Sequence, residues 1–108
     1  MSTMPGTAPI TVINVFAVAA EHAENFQRMW TQCLEILRTA TGFVDSHLHS
    51  SLDPTVRFRF VNVAHWDTEA HWHFAVNLPE LVALIATVPY EQNPASYGVA
   101  AGWPPPNS

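Results

Sequence analysis

Residues 56–66 read Val-Arg-Phe-Arg-Phe-Val-Asn-Val-Ala-His-Trp. Apolar and polar side chains alternate here too regularly for a helix, so the spacing predicts one long strand. Strand residues two apart share a face. One face then carries Phe58, Phe60, Asn62, Ala64 and Trp66, and the other carries Arg57, Arg59, Val61, Val63 and His65. The first face is apolar apart from the Asn62 carboxamide and the Trp66 indole N–H. A buried amide without a partner costs a few kcal/mol. Asn62 is therefore satisfied either by the protein itself or by a ligand, and the second possibility makes it a candidate site residue.

Working outward, residues 10–18 (Ile-Thr-Val-Ile-Asn-Val-Phe-Ala-Val) are β-branched and aromatic, which predicts another strand. Asn14 stands in the middle of its apolar face. Between these strands, residues 20–40 repeat apolar positions every three and four residues: Ala23, Phe26, Trp30, Cys33, Leu37 and Ala40. That spacing predicts an amphipathic helix, with Gly42 as its stop. The stripe reads as core. Residues 43–52 predict a strand with Phe43, Asp45, His47 and His49 on one parity. Asp53-Pro54-Thr55 supplies the turn of a hairpin. After Trp66, Asp67 or Thr68 caps a helix over 69–77, and Pro79 breaks or kinks it before an apolar stretch, 79–88, that contains Leu81, Val82, Leu84, Ile85 and Val88. Residues 89–94 read as loop, and 95–103 as a short last strand. The order strand, helix, strand, strand, helix, strand predicts an α+β, ferredoxin-like βαββαβ domain with a four-stranded antiparallel sheet. Residues 1–9 read as a flexible lead-in, 10–103 as the single domain and 104–108 as a tail.

Composition narrows the function. Of 108 residues, 48% are hydrophobic and only 12% charged, about half the usual share, so the exposed sheet face is expected to meet a second copy of the chain. The net charge is −5 with no basic run, which argues against a nucleic-acid partner. The four cations are all arginines, and without lysine no Schiff base can form. A single cysteine rules out an intrachain disulfide. Neither a leader peptide nor a membrane-spanning run is evident, so a cytoplasmic protein is expected. His71 and His73, two apart on a helix, diverge by about 200° and cannot chelate one ion together, so no metal site is expected.

The segment Phe-Val-Asn-Val-Ala-His-Trp-Asp-Thr-Glu-Ala (60–70) resembles the Val-Asn-x-Ala-x-Trp-Glu-Ser signature of antibiotic biosynthesis monooxygenases. Gly42-Phe43 and Leu48-His49-Ser50-Ser51-Leu52-Asp53 are similar to that family's second strand and turn. The resemblance implies a dimeric α+β barrel with a pocket between sheet and helices. It also implies cofactor-free oxidation of a polycyclic phenol, anthrone or quinol by O₂, with no metal, flavin or haem. It puts Asn62, Trp66 and His49 at catalytic positions. Trp72 falls where the family has a pocket tyrosine, and a pocket arginine is replaced near Ala86. A sister branch degrades haem. Asn14 and Trp66 match two of its residues, but no histidine follows His73 to serve as iron ligand.

In such a pocket Asn62 and Trp66 would donate to an enolate, Asn14 would add a donor, Phe58, Phe60 and Trp72 would form apolar walls, and His49 would act as base. The competing possibilities are that Asn62 and Trp66 are satisfied within the core and that His49 is idle at the surface. The alternative function is a non-catalytic dimeric module of the same fold that binds a small aromatic or serves in a stress response.

Overall fold

The computed structural model describes residues 8–87 and 90–105. The lead-in before residue 8, Val88 and Pro89, and the tail beyond Pro105 lie outside the described residues. Four strands, β1 (Ile10–Ala17), β2 (Phe43–Ser50), β3 (Phe60–Trp66) and β4 (Glu91–Tyr97), form one antiparallel sheet in the order β2-β3-β1-β4. Helices α1 (Ala23–Leu37), α2 (Glu69–Val76) and α3 (Pro79–Ile85) complete a ferredoxin-like α+β fold. A 3-10 turn, Ala20–His22, leads into α1.

Local chemistry sets the joints. Gly42 turns the chain from α1 into β2 at φ +86, a left-handed conformation that suits glycine. Its carbonyl accepts from Asp67 N–H at 2.8 Å, tying this corner to the end of β3. Of the two candidate caps for α2, Thr68 is the one used: its hydroxyl accepts from His71 N–H at 3.1 Å. Pro79 opens α3 from an extended Leu78, where the missing N–H costs nothing.

Helix α1 and strand β2 are shorter than the expected 20–40 and 43–52, and three larger differences bear on the site. The strand expected over 56–66 is ordered into the sheet only from Phe60, because its partner β1 ends at Ala17 and the last β1–β3 pair is Phe16 with Phe60. Residues 51–59 instead form the hairpin connection. Asp53 organises it by accepting from both the N–H and the hydroxyl of Thr55, and one further rung joins Ser51 N–H to Arg59 C=O at 2.8 Å. The last strand spans Glu91–Tyr97 instead of 95–103. Pro94 lies inside it, which an outer strand with a single neighbour tolerates. Finally, β2 shifts register between Phe43 and Asp45, where Val44 bulges out with 60% exposure. The extra residue reverses the parity that comes after it. Phe43 packs toward the helices with Trp66, whereas Asp45, His47 and His49 sit opposite His65, Val63 and Val61 on the other face.

The core is divided. One cluster gathers Val12, Ala64, Trp66 and Ala75, with Leu37, Phe43 and Trp72 against it. The other gathers Phe16, Val18, Phe26 and Phe60, with Met29, Trp30 and Tyr90 against it. Phe26, fully buried, stacks on Phe60 with ring centroids 4.8 Å apart and meets Phe16 at the same distance. Between the clusters lie Asn14 and Asn62, paired across β1 and β3.

A Cβ at Gly42 would overlap Asp67 Oδ1 and both Nδ1 and Cβ of His71. Gly42→Ala is expected to lower stability by about 2 kcal/mol or more, from the left-handed φ and the clash together. Urea unfolding of the two proteins checks it.

Candidate active site

Where the core divides, a cavity of about 270 Å³ opens between the sheet and the helices. Its floor is the inner face of the sheet: Val12, Asn14, Ser46, Asn62, Ala64 and Trp66. Met29, Trp30, Cys33 and Leu37 of α1 form one wall, Trp72 and Val76 of α2 with Leu81 and Ile85 of α3 another, and Tyr90, Gln92 and Pro94 a third. The lining is overwhelmingly apolar and rich in rings, with a few polar groups on the floor.

Those polar groups differ in how they are satisfied. Ser46 Oγ donates to Asn62 Oδ1 at 2.7 Å, which fixes the amide, yet Asn62 Nδ2 has no partner among the described residues. Trp66 is 2% exposed and packs edge-on against Phe43, 5.3 Å between centroids. Its Nε1–H also lacks a partner among the described residues. No sealed side-chain nitrogen or oxygen among those residues is left without a hydrogen bond, so both donors keep an opening to the cavity. Asn14 is held more firmly. Its Nδ2 donates to Gln92 Oε1 and its Oδ1 accepts from Asn93 N–H, both at 3.0 Å.

Of the residues singled out from the sequence, Asn14, Asn62, Trp66 and Trp72 therefore line one cavity. Phe60, 1% exposed, lies in the core beside it and not on its wall. Phe58 and His49 belong elsewhere. They line a second hollow beside the hairpin with Arg57, Arg59 and Val61, and the Arg57 guanidinium lies 5.1 Å from the Phe58 ring centre. The bulge in β2 turns His49 to the sheet face opposite Asn62, so it cannot reach a molecule in the main cavity. The late start of β3 leaves Phe58 in the hairpin connection. Ser46, hidden by the same bulge, and Gln92, read as loop, are the floor and wall residues that sequence reasoning misses. The α1 stripe, read as core alone, also forms a wall.

Electrostatically the cavity is quiet. Among the described residues no histidine, carboxylate or guanidinium lines it. Its ionisable groups are the Tyr90 phenol and the Cys33 thiol. Burial pushes the thiol up to about 11, and its Sγ donates to Met29 Sδ at 3.4 Å. Imidazoles pair with carboxylates outside the cavity: His65 with Asp45 and His71 with Asp67 at 2.6 Å, His73 with Glu69 at 3.1 Å, and, more loosely, His22 with Glu21 at 3.9 Å.

The chain is thus a ferredoxin-like α+β domain with a ring-lined, donor-floored cavity under its helices. The model of the antibiotic biosynthesis monooxygenase family matches residues 9–87, and the chain belongs to that family. Among solved structures it is similar to a candidate monooxygenase from Shewanella loihica PV-4, at 28% identity and TM-score 0.77 over 88% of this chain and 97% of that one. SnoaB, a cofactor-independent oxygenase from Streptomyces nogalater, superimposes with TM-score 0.74 at 19% identity over 90% and 98% of the two chains. A dabb family protein with a ferredoxin-like fold from Mesorhizobium loti does so with 0.67 at 18% identity, over 86% and 98%. The last two likenesses concern the fold. No curated protein matches the sequence. Among the described residues no helix is long and apolar enough to cross a membrane.

With its thiol raised from 9.0 to about 11, folded Cys33 is expected to react with a disulfide reagent at pH 8 about 100-fold more slowly than the unfolded chain. The unfolded chain releases that proton first. Stability contributed by the neutral thiol should therefore be intact below pH 9 and fall as pH rises toward 11. Thiol titration and pH-dependent urea unfolding read the two effects.

Proposed function

We propose that the protein is a cofactor-independent monooxygenase that oxidises a polycyclic phenol, anthrone or quinol with O₂ by stabilising its enolate in the apolar cavity. The observation that carries this reading is a pair of donors without partners among the described residues, Asn62 Nδ2 and Trp66 Nε1, in a hollow walled mostly by rings and aliphatic groups. Membership of a monooxygenase family and the likeness in fold to SnoaB support it.

The chemistry rests on what those donors can do. An anthrone loses a proton from its methylene carbon to give an enolate. The enolate passes one electron to O₂, and the resulting carbon radical and superoxide combine to form a C–O bond. The peroxide takes up a proton and then loses water, leaving the quinone, so anthrone and O₂ become quinone and H₂O. Amide and indole N–H groups stabilise the enolate oxygen without protonating it. Each such donor in a water-poor site is worth about 3 kcal/mol. In this proposal the substrate carries its own acidity and yields its proton to water, since among the described residues no imidazole or carboxylate lines the cavity. His49, on the opposite sheet face, has no part in the step.

A second copy completes the assembly in this proposal. Thr11, Ile13, Val15, Val61 and Val63 form the sheet face away from the helices, half-buried in the single chain. A homodimer that joins two such faces accounts for the low charge content. The alternative is a non-catalytic module of the same fold that binds small aromatics in the same cavity or serves in a stress response.

Oxygen uptake with anthrones decides between them. Asn62→Ala and Trp66→Phe are expected to lower kcat/KM by about 100-fold each while remaining folded. His49→Ala should stay within about twofold, and the rate should rise with pH along the substrate's own ionisation without an inflection near the imidazole range of about 6.5. Oxidation no faster than the uncatalysed background would favour the binding module. Light scattering should give twice the mass of the chain, and replacing Val63 with aspartate should give the monomer.

A further inference from the structure

The two amides on the cavity floor are not independent. Asn14 on β1 and Asn62 on β3 stand directly opposite each other in the antiparallel register, which puts their Cβ atoms about 5 Å apart. Both line the cavity. Each carbonyl oxygen is engaged by a neighbouring strand: Asn62 Oδ1 accepts from Ser46 Oγ of β2, and Asn14 Oδ1 accepts from Asn93 N–H of β4. One N–H of Asn14 is held by Gln92 Oε1. What remains for a ligand is therefore mainly donors, two N–H groups on Asn62 and one on Asn14.

We infer that the cavity selects a fused-ring aromatic that presents two oxygen acceptors along one edge, one read by Asn62 and the other by Asn14, and that Gln92 is the positioning residue that holds the Asn14 amide for this task. The inference rests on the cavity being the substrate site proposed above and names its substrate more narrowly. Donors suit hydroxyls that flank a ring carbonyl. Each such hydroxyl turns its proton inward onto the shared carbonyl and leaves lone pairs directed outward. A ring edge without those oxygens displaces water from the amides and returns nothing, and sites built to hydrogen-bond a substrate discriminate strongly against analogues that cannot. Ser46, Asn62, Asn14 and Gln92 come one from each strand, so the polar line crosses the whole sheet between the two apolar clusters.

The test uses quinones, which are already oxidised and so report recognition apart from turnover. Binding of 1,8-dihydroxyanthraquinone and of unsubstituted anthraquinone is followed by quenching of the cavity tryptophans. The wild-type protein is expected to prefer the dihydroxy compound by about tenfold or more. Asn14→Ala and Gln92→Leu should each cut the preference below about threefold, chiefly by weakening the dihydroxy compound. Gln92→Glu keeps an acceptor for Asn14 and should retain the preference. In turnover Gln92→Leu should raise KM and leave kcat near its wild-type value. An unchanged preference in folded Asn14→Ala overturns the inference, as does equal loss of both ligands, equal behaviour of Gln92→Glu and Gln92→Leu, or failure of the wild type to bind either quinone. Gln92 is exposed on an outer strand, so its variants remain informative if Asn14→Ala does not fold. A protein with the expected preference but no oxygen uptake would lose the monooxygenase reading and keep this one. Anthrone oxidation without any preference would do the reverse.

Discussion

The register of β1 against β3 brings Asn14 and Asn62 face to face in the middle of the sheet, and the rest of the molecule accommodates that coincidence. Two carboxamides side by side cannot be packed under aliphatic groups without losing hydrogen bonds that water would have supplied. The apolar residues of β1 and β3 accordingly close onto the helices above and below the pair, through Val12, Ala64 and Trp66 at one end and Phe16 and Phe60 at the other. Neither cluster extends over the amides, and the space between becomes the cavity. Phe26 secures one end by meeting Phe16, Phe60 and Tyr90 at once. Trp66 secures the other end and also borders the cavity, so a single indole serves packing and site together.

The division of labour on the floor reflects hydrogen-bond supply. Neighbouring strands commit a serine hydroxyl, a backbone N–H and a glutamine carbonyl to these two amides. Each of those contacts restrains a side chain that would otherwise rotate about two bonds, and restraint made before a ligand arrives lowers the entropy lost on binding. The walls contribute shape and exclude water. Among the described residues no imidazole or carboxylate enters.

Much of this is legible in the sequence because alternation is a strong signal wherever a strand is regular. The inner faces of β1 and β3 can be read off residue by residue, and so can the anomaly of an amide on each. What stays hidden has local physical causes. A single bulged residue, Val44, reverses the parity of β2, which turns His49 away and brings Ser46 in. A bulge leaves almost no imprint on composition. Pro94 marks its surroundings as loop, because proline is excluded from strands with two neighbours and tolerated on those with one. Which kind a strand is depends on the assembled sheet. The extra length expected of β3 has the same origin: Val56 to Arg59 alternate as a strand would, but β1 stops before it can pair with them.

Those two irregularities share a further consequence. The outermost strands of the sheet are β2 and β4, and each is flawed as a template for additional strands: β2 by its bulge, β4 by a proline that lacks an N–H. An unbroken row of backbone donors and acceptors at either margin would invite lateral growth into fibrils. A chain with so little surface charge has few other safeguards against that fate. The defects that obscure the fold in the sequence thus discourage runaway polymerisation at its margins.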